Sequence, residues 1–209
     1  RDEYHAAITR IRHAIAEGET YQVNYTFRLL TPFDGDPYAL SCRLVAAQPT
    51  RNAACIETDA FAICSASPEL FFSLNGRTIV ARPMKGTMPR GLTVGEDEKN
   101  AEMLRTSEKD RAENVMIVDM MRNDLGRIAA IGTVSVPSLF AVERYPSVWQ
   151  MTSTVKAETD ASVTDIMRAV FPCASVTGAP KARTMAIIAE LETTPRKIYT
   201  GAVGFLAPN

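Results

Sequence analysis

The sequence predicts an α+β fold, antiparallel sheet packed with helices, on three observations. Apolar residues alternate with period two in several short runs and recur with period 3.6 in a few longer ones. The two kinds interleave irregularly, without the strict strand–helix alternation of a parallel sheet. A hairpin signal, Asn75-Gly76, separates two of the short runs.

Taken in order, Tyr4, Ile8, Ile11 and Ile15 form one stripe of an amphipathic helix that Gly18 ends. From Tyr21 to Leu30 the period becomes two: Val23, Tyr25, Phe27 and Leu29 alternate with Gln22, Asn24, Thr26 and Arg28, which predicts a strand with a polar face able to line a site. A short helix follows Pro37 (Tyr38 to Ala47), then β runs at Ala53 to Glu57, Ala60 to Cys64 and Glu69 to Leu74, with Asn75-Gly76 turning into Thr78 to Ala81. Glu108 to Asn123 is the strongest helix, its apolar Val115, Ile117, Val118, Met120 and Met121 set against Asp110, Glu113 and Asn114. Asp124-Leu125-Gly126 is expected to end it. Two strands (Thr133 to Val136 and Val148 to Val155), a helix from Ser162 to Ala169 and a last helix starting near Ala179-Pro180 complete the pattern.

Composition removes whole classes of function. Lys and Arg number 23 against 24 Asp and Glu, a formal charge of −1, so no basic surface is available to neutralise a phosphate backbone and no nucleic-acid partner is expected. No membrane partner is expected either: no window reaches about 18 consecutive apolar residues, and Arg1-Asp2-Glu3 does not resemble the start of a secretory signal. A cytoplasmic location follows as an expectation. The four cysteines, Cys42, Cys55, Cys64 and Cys173, form no CxxC pair, and both His lie near the N-terminus, so no zinc site is expected. Three of the four stand in apolar stretches, where Cys usually acts as a small buried hydrophobe.

Four places carry candidate chemistry. In Arg82-Pro83-Met84-Lys85-Gly86-Thr87 a strand runs out into a lysine followed by a glycine, whose missing Cβ would let a ligand approach the backbone. A solvated turn lysine is the plainer reading of Lys85. Ser67-Pro68-Glu69 opens the strand paired with this segment, so Glu69 and Lys85 belong to one unit in which a carboxylic acid and an amine could act as proton donor and nucleophile. A two-residue turn that sets Leu74 opposite Arg77 would pair Lys85 with Ala66 and put Glu69 on the other sheet face. Pro68 and Pro83 must break that register if the two are to meet. Asp110, Glu113 and Asn114, spaced i, i+3 and i+4, suit a hard divalent cation completed by water, although by spacing alone a Lys109–Glu113 pair is the stronger reading. Ser175-Val176-Thr177-Gly178-Ala179-Pro180-Lys181 leads into a helix whose free N–H groups could receive an anion.

Together and in this order, these segments resemble the chorismate-utilising enzymes, the family of anthranilate and aminodeoxychorismate synthase components I and the isochorismate and salicylate synthases. The matching stretches are Gly18 to Asn24, Ser67 to Glu69, Arg82 to Thr87, Glu108 to Gly126, Tyr145 to Thr154, Ser175 to Lys181 and Tyr199 to Phe205. The resemblance implies the α/β sandwich of anthranilate synthase component I. Within the family, enzymes that bring a hydroxyl to chorismate carry a Lys base where this chain has Gln22, and an amide cannot be a general base. Anthranilate synthases have Ala at Lys85, whereas the aminodeoxychorismate branch has a nucleophilic Lys there. Gln150 stands where a His linked with pyruvate elimination is frequent. The implied activity is therefore amination of chorismate at C4 with the enolpyruvyl group retained, as in para-aminobenzoate and folate synthesis, with anthranilate formation as the alternative.

The resemblance further implies Lys85 as nucleophile, Glu69 as general acid, and Mg2+ on Glu113 with Asp110 nearby. It implies substrate contacts from Gln22, Gly86, Thr87, Thr177, Gly178, Ala179 and Tyr199, and a glutamine amidotransferase subunit or domain supplying ammonia. Residues 1–209 are expected to be one chorismate-binding domain truncated at both ends, because family members continue past Phe205 into strands and a helix with a substrate-binding Arg and a second metal carboxylate. A non-catalytic chorismate-binding scaffold and a phosphate-binding module near Gly178 are the readings from other classes.

Overall fold

The computed structural model describes residues 2–207; Arg1, Pro208 and Asn209 lie outside the described residues. The chain begins with α1 (Asp2–Ala16) and a two-residue strand β1 (Gln22–Val23), followed by α2 (Pro37–Ala47) and the hairpin β2 (Asn52–Glu57) and β3 (Ala62–Ser67). A second hairpin, β4 (Leu70–Asn75) and β5 (Thr78–Arg82), runs through Pro83 into β6 (Met84–Pro89). Helices α3 (Val94–Thr106) and α4 (Glu108–Gly126) precede the long strands β7 (Ser135–Arg144) and β8 (Val148–Glu158). The chain closes with α5 (Val163–Val170), a 3-10 turn (Ala174–Val176), β9 (Gly178–Ala179) and α6 (Lys181–Leu191). The expected α+β class with antiparallel sheet is what the chain forms.

β8 is the spine of the main sheet. β5 pairs with its C-terminal half (Ala81 with Val155) and β6 with its N-terminal half (Met84 with Thr152), so the two are one long strand along the same edge, interrupted at Pro83. β7 lies along the other edge, and β4 flanks β5. Odd-numbered β8 residues face the helices: Met151, Val155 and Ala157 are buried, and the latter two join Ile79, Ala81, Val118, Met121, Leu125 and Ile166 in the main core. Burying this apolar side on α4 supplies the main stabilising free energy of the fold.

Several elements depart from expectation, among them β6, not expected as a strand, and β7, which runs Ser135–Arg144 where Thr133 to Val136 is expected. The strand predicted over Tyr21 to Leu30 shrinks to Gln22–Val23, because β9 offers only two residues to pair with. Beyond it the chain stays extended, with Tyr25 and Phe27 packed near the Tyr4 ring of α1, while Leu29 and Leu30 are exposed. Helix α3 carries no apolar stripe, since only Ala101 and Leu104 are buried, yet it is capped by Thr93, which accepts from the Glu96 amide. Helix α4 continues through Asp124 and Leu125, which are both buried.

Buried polar fastenings hold the remainder. Asp97 receives Arg90 Nε at 2.7 Å and Trp149 Nε1 at 2.9 Å, and the Arg90 guanidinium hydrogen bond is the main cause holding its carboxyl far below the usual carboxylate range. Lys181 bridges Asp124 and also donates to the Val170 carbonyl at 3.2 Å, tying α6 to α4 and α5. At β9 the packing is closest. A Cβ on Gly178 would stand 2.0 Å from the Gln22 carbonyl oxygen and 2.7 Å from Thr184 Cγ2, and its φ of +144° already disfavours an L side chain. Gly178→Ala is therefore expected to destabilise the protein by at least about 3 kcal/mol in urea unfolding, whereas Gly95→Ala, with open space at its Cβ, should stay within about 1 kcal/mol.

Candidate active site

The site forms where the long edge strand breaks. The β4–β5 turn is Gly76-Arg77, with Asn75 opposite Thr78, one residue later than expected, and the β4 register shifts again between Leu70 and Ser73. Lys85 does not pair with Ala66. It lies on β6, at a bulge between the Met84–Thr152 and Thr87–Gln150 pairs of β8. Leu70 opposes Arg82, so Glu69 is delivered beside Pro83 and Met84. The pairing with β8 keeps its register across Pro83, so the expected break is not there: the shift in β4 between Leu70 and Ser73 and the bulge after Met84 set the places of Glu69 and Lys85, near enough for the lysine charge to act on the carboxyl.

The bulge is clasped from two sides. Asn114 of α4, 1% exposed, donates to the Lys85 carbonyl at 3.1 Å and accepts from the Ser153 hydroxyl at 2.6 Å. Gln150 donates to the Gly86 carbonyl at 2.8 Å and accepts from the Thr87 hydroxyl at 2.8 Å. Gly86 has φ +100°, and a Cβ there would meet Asp110 Cβ at 3.0 Å and Met151 Cβ at 3.2 Å. Its bareness therefore admits the close packing of α3, α4 and β8 around the bulge.

Around Glu69 the surroundings are mixed. Burial raises its pKa above the ordinary 4.5, while Ser175, Lys85 and the Met84 amide pull it the other way, and burial prevails. Cys173, whose thiol is pushed up by burial and by Glu69, stands 3.1 Å from the Ser175 hydroxyl. Glu69, Ser175, Cys173, Phe71 and Phe171 line a cavity of about 70 Å³, room for water only. Beyond Phe171, Thr200 and Gly201 it adjoins a larger cavity of about 600 Å³ lined by Thr177, Met185, Ile188, Arg196 and Tyr199 among others, a size suited to a small organic ligand.

The remaining expected residues divide. Tyr199 is exposed on the larger cavity. Thr177 reaches it too, but its hydroxyl donates to the Cys173 carbonyl at 3.0 Å. Gly178 and Ala179 form β9, buried against β1. Gln22, their strand partner, keeps a buried Oε1 with no partner among the described residues. Asp110 accepts from Ser107, its helix cap, at 2.5 Å, and Glu113 pairs with Lys109 at 3.3 Å, the plainer reading of that spacing. No group of three or more His, Cys, Asp or Glu gathers among the described residues. Asp110 and Glu113 stand one turn apart on α4, with Asp110 beside the Gly86 bulge. They do not form a protein-only cage. Ser175, Cys173 and the clasping role of Asn114 went unread in sequence because their proximity to Glu69 and Lys85 comes from β8 and the 3-10 turn.

Residues 1–209 match the family model of the chorismate binding enzyme. This chain belongs to that family. Aminodeoxychorismate synthase component 1 of Escherichia coli (strain K12) is 41% identical over 99% of the chain and 46% of that protein. Its counterpart from Bacillus subtilis (strain 168) is 42% identical over 100% of the chain and 45% of that protein. Among solved structures, anthranilate synthase component I from Streptococcus pneumoniae TIGR4 superposes with a TM-score of 0.83 at 29% identity, covering 92% of this chain and 42% of that one. The chain thus spans somewhat under half the length of these relatives. No helix of the described residues is long and apolar enough to cross a membrane.

Two predictions follow from the geometry. With its pKa raised on folding, Glu69 contributes stability that is full below its unfolded value near 4.5 and is lost as pH rises through the folded value. Glu69→Gln should therefore gain stability relative to the parent as pH goes from 4 to 8, measured by urea unfolding at both ends. Asn114→Ala leaves Ser153 and the Lys85 carbonyl short of a partner and should cost about 1–3 kcal/mol in the same assay.

Proposed function

We propose that the protein of which this chain is part is an aminodeoxychorismate synthase component I, joining ammonia to chorismate to give 4-amino-4-deoxychorismate. The observation that carries this reading is a lysine at the β6 bulge whose charge acts on a carboxyl that desolvation pushes above its ordinary pKa. Similarity to the aminodeoxychorismate synthases over the whole chain supports it.

In the reaction, Lys85 as a neutral amine forms a bond to C2 of chorismate, the two ring double bonds shift, and the C4–O bond breaks. Glu69 gives its proton to the departing hydroxyl, which leaves as water. Ammonia then bonds to C4, the double bonds shift back, and the C2–N bond breaks to free Lys85. Covalent catalysis thus splits one displacement into two easier ones. Asn114 and Gln150 hold the bulge from which Lys85 projects, so the amine is positioned before substrate arrives. Magnesium, held in part by Glu113 and Asp110, supplies charge neutralisation for a substrate carboxylate when bound. Thr87, Tyr199 and Gln22, with the amides of Gly86, Gly178 and Ala179 and the Thr177 hydroxyl, are the groups we assign to the substrate's remaining oxygens. The naming of the relatives as component 1 supports a second component, which we assign to glutamine hydrolysis and ammonia supply, and residues 1–209 to one part of the chorismate-binding domain.

Mass spectrometry of the full-length protein and its Lys85→Ala variant, each given chorismate, magnesium and ammonium, tests the reading. Aminodeoxychorismate and a chorismate-derived adduct on Lys85, both lost in the variant, are expected. Anthranilate formed without an adduct and unaffected by the substitution would overturn it in favour of anthranilate synthase.

A further inference from the structure

None of the four cysteines is fully buried, against the expectation that they act as core hydrophobes: Cys42 and Cys55 are exposed, Cys64 and Cys173 half-buried. Two of them face each other. Cys55 on β2 and Cys64 on β3 are directly opposed in the antiparallel ladder. The Thr58 amide donates to the Phe61 carbonyl at 2.9 Å, which marks that pair as hydrogen-bonded. Bonded and non-bonded pairs alternate along such a ladder, so Ile56–Ile63 and Ala54–Ser65 are bonded and Cys55–Cys64 lies between them as a non-bonded pair. Cα atoms in such pairs stand about 4.5 Å apart, within the span of roughly 4.4–6.8 Å that a disulfide bridges. Both side chains leave the same face, the one where Cys64 Sγ donates to the Pro37 carbonyl of α2 at 3.3 Å. Cys55 is the sulfur nearest solvent and Cys64 the one behind it.

We infer that Cys55 and Cys64 are a dithiol–disulfide couple closed by a low-molecular-weight disulfide such as oxidised glutathione. The Cys55 thiolate attacks the small disulfide, forming a mixed disulfide and releasing one small thiol. Cys64 then loses its proton and displaces the second small thiol, closing the Cys55–Cys64 bond. Two protein thiols lose two electrons in all, and one small disulfide gains them to become two thiols. The link falls in a sheet of only two strands, the kind least able to hold itself. The far end of that sheet leads to Glu69: Thr50 holds the Ser67 carbonyl at 2.6 Å and Asn52 the Pro68 carbonyl at 3.2 Å. Oxidation thus staples the hairpin that carries the buried carboxyl.

The test treats the full-length protein with oxidised glutathione at a concentration that modifies the exposed Cys42, then alkylates free thiols and digests with trypsin. Both cysteines fall in the peptide from Asn52 to Arg77, which has no internal Lys or Arg. That peptide is expected lighter by two hydrogens, without alkyl or glutathione groups, and restored by dithiothreitol. Amide exchange over 52–67 should slow in the oxidised form. Cys42→Ser should leave the link intact, and Cys64→Ser should trap a glutathione adduct on Cys55. Recovery of the peptide with both cysteines alkylated, or each carrying its own glutathione, would overturn the inference.

Discussion

The arrangement depends on one broken strand. Thr78 to Pro89 runs along β8 in one register through Pro83, which has no amide to give to the ladder, until the bulge between Met84 and Thr87 breaks it. Continued in the register of its turn, with Asn75 opposite Thr78, β4 would put Glu69 on the face away from Lys85, and the shift between Leu70 and Ser73 removes that conflict. At the bulge Asn114 and Gln150 donate to the Lys85 and Gly86 carbonyls, supplying hydrogen bonds that a regular ladder would have supplied. A site built this way sits on rigid sheet and helix, since both clasping residues come from the elements with the best-buried apolar faces.

Electrostatics at the break follow from how unevenly water is excluded. Glu69 has a cation and two hydrogen-bond donors near it, which would ordinarily favour the carboxylate, yet desolvation outweighs them. Asp97 shows the opposite balance: with the Arg90 fork, the Gly91 amide and the Trp149 indole around it, its ionised form wins decisively. Two carboxyls in one small chain are thus shifted in opposite directions by the balance of desolvation against donors.

How much of this is legible in sequence depends on how local the determining interaction is. The helix over Glu108 and its neighbours is legible because its own apolar stripe specifies it, and the β4–β5 turn is nearly so because Gly76 signals it. Helix α3 escapes notice because it buries little beyond Ala101 and Leu104, leaving its Thr93 cap as the main mark. The alternation from Tyr21 to Leu30 is real, but a strand needs a partner, and β9 gives only two residues. Lys85 is misplaced by the turn-counting argument since its true partner, β8, lies more than sixty residues downstream and no local pattern names it. The motif residues are recognisable by family resemblance, whereas Asn114, Ser175 and Cys173 acquire their roles only through tertiary contact.

The C-terminal part of the chain shows the same dependence on long-range polar contacts. Arg196 donates to the Asn24 carbonyl at 2.6 Å and the Val176 carbonyl at 2.5 Å, while Glu192 accepts the Thr26 amide at 2.8 Å. Burial alone would raise Glu192, but the Arg196 and Thr26 hydrogen bonds hold it below the usual carboxylate range. This cluster replaces the sheet pairing that β1 lacks past Val23, and it fixes the extended segment against the turn that opens α6. Arg196, Glu192 and Thr177 all line the larger cavity, so the cluster forms part of its wall. The β6 bulge and the Arg196–Glu192 cluster are thus held by separate sets of long-range hydrogen bonds.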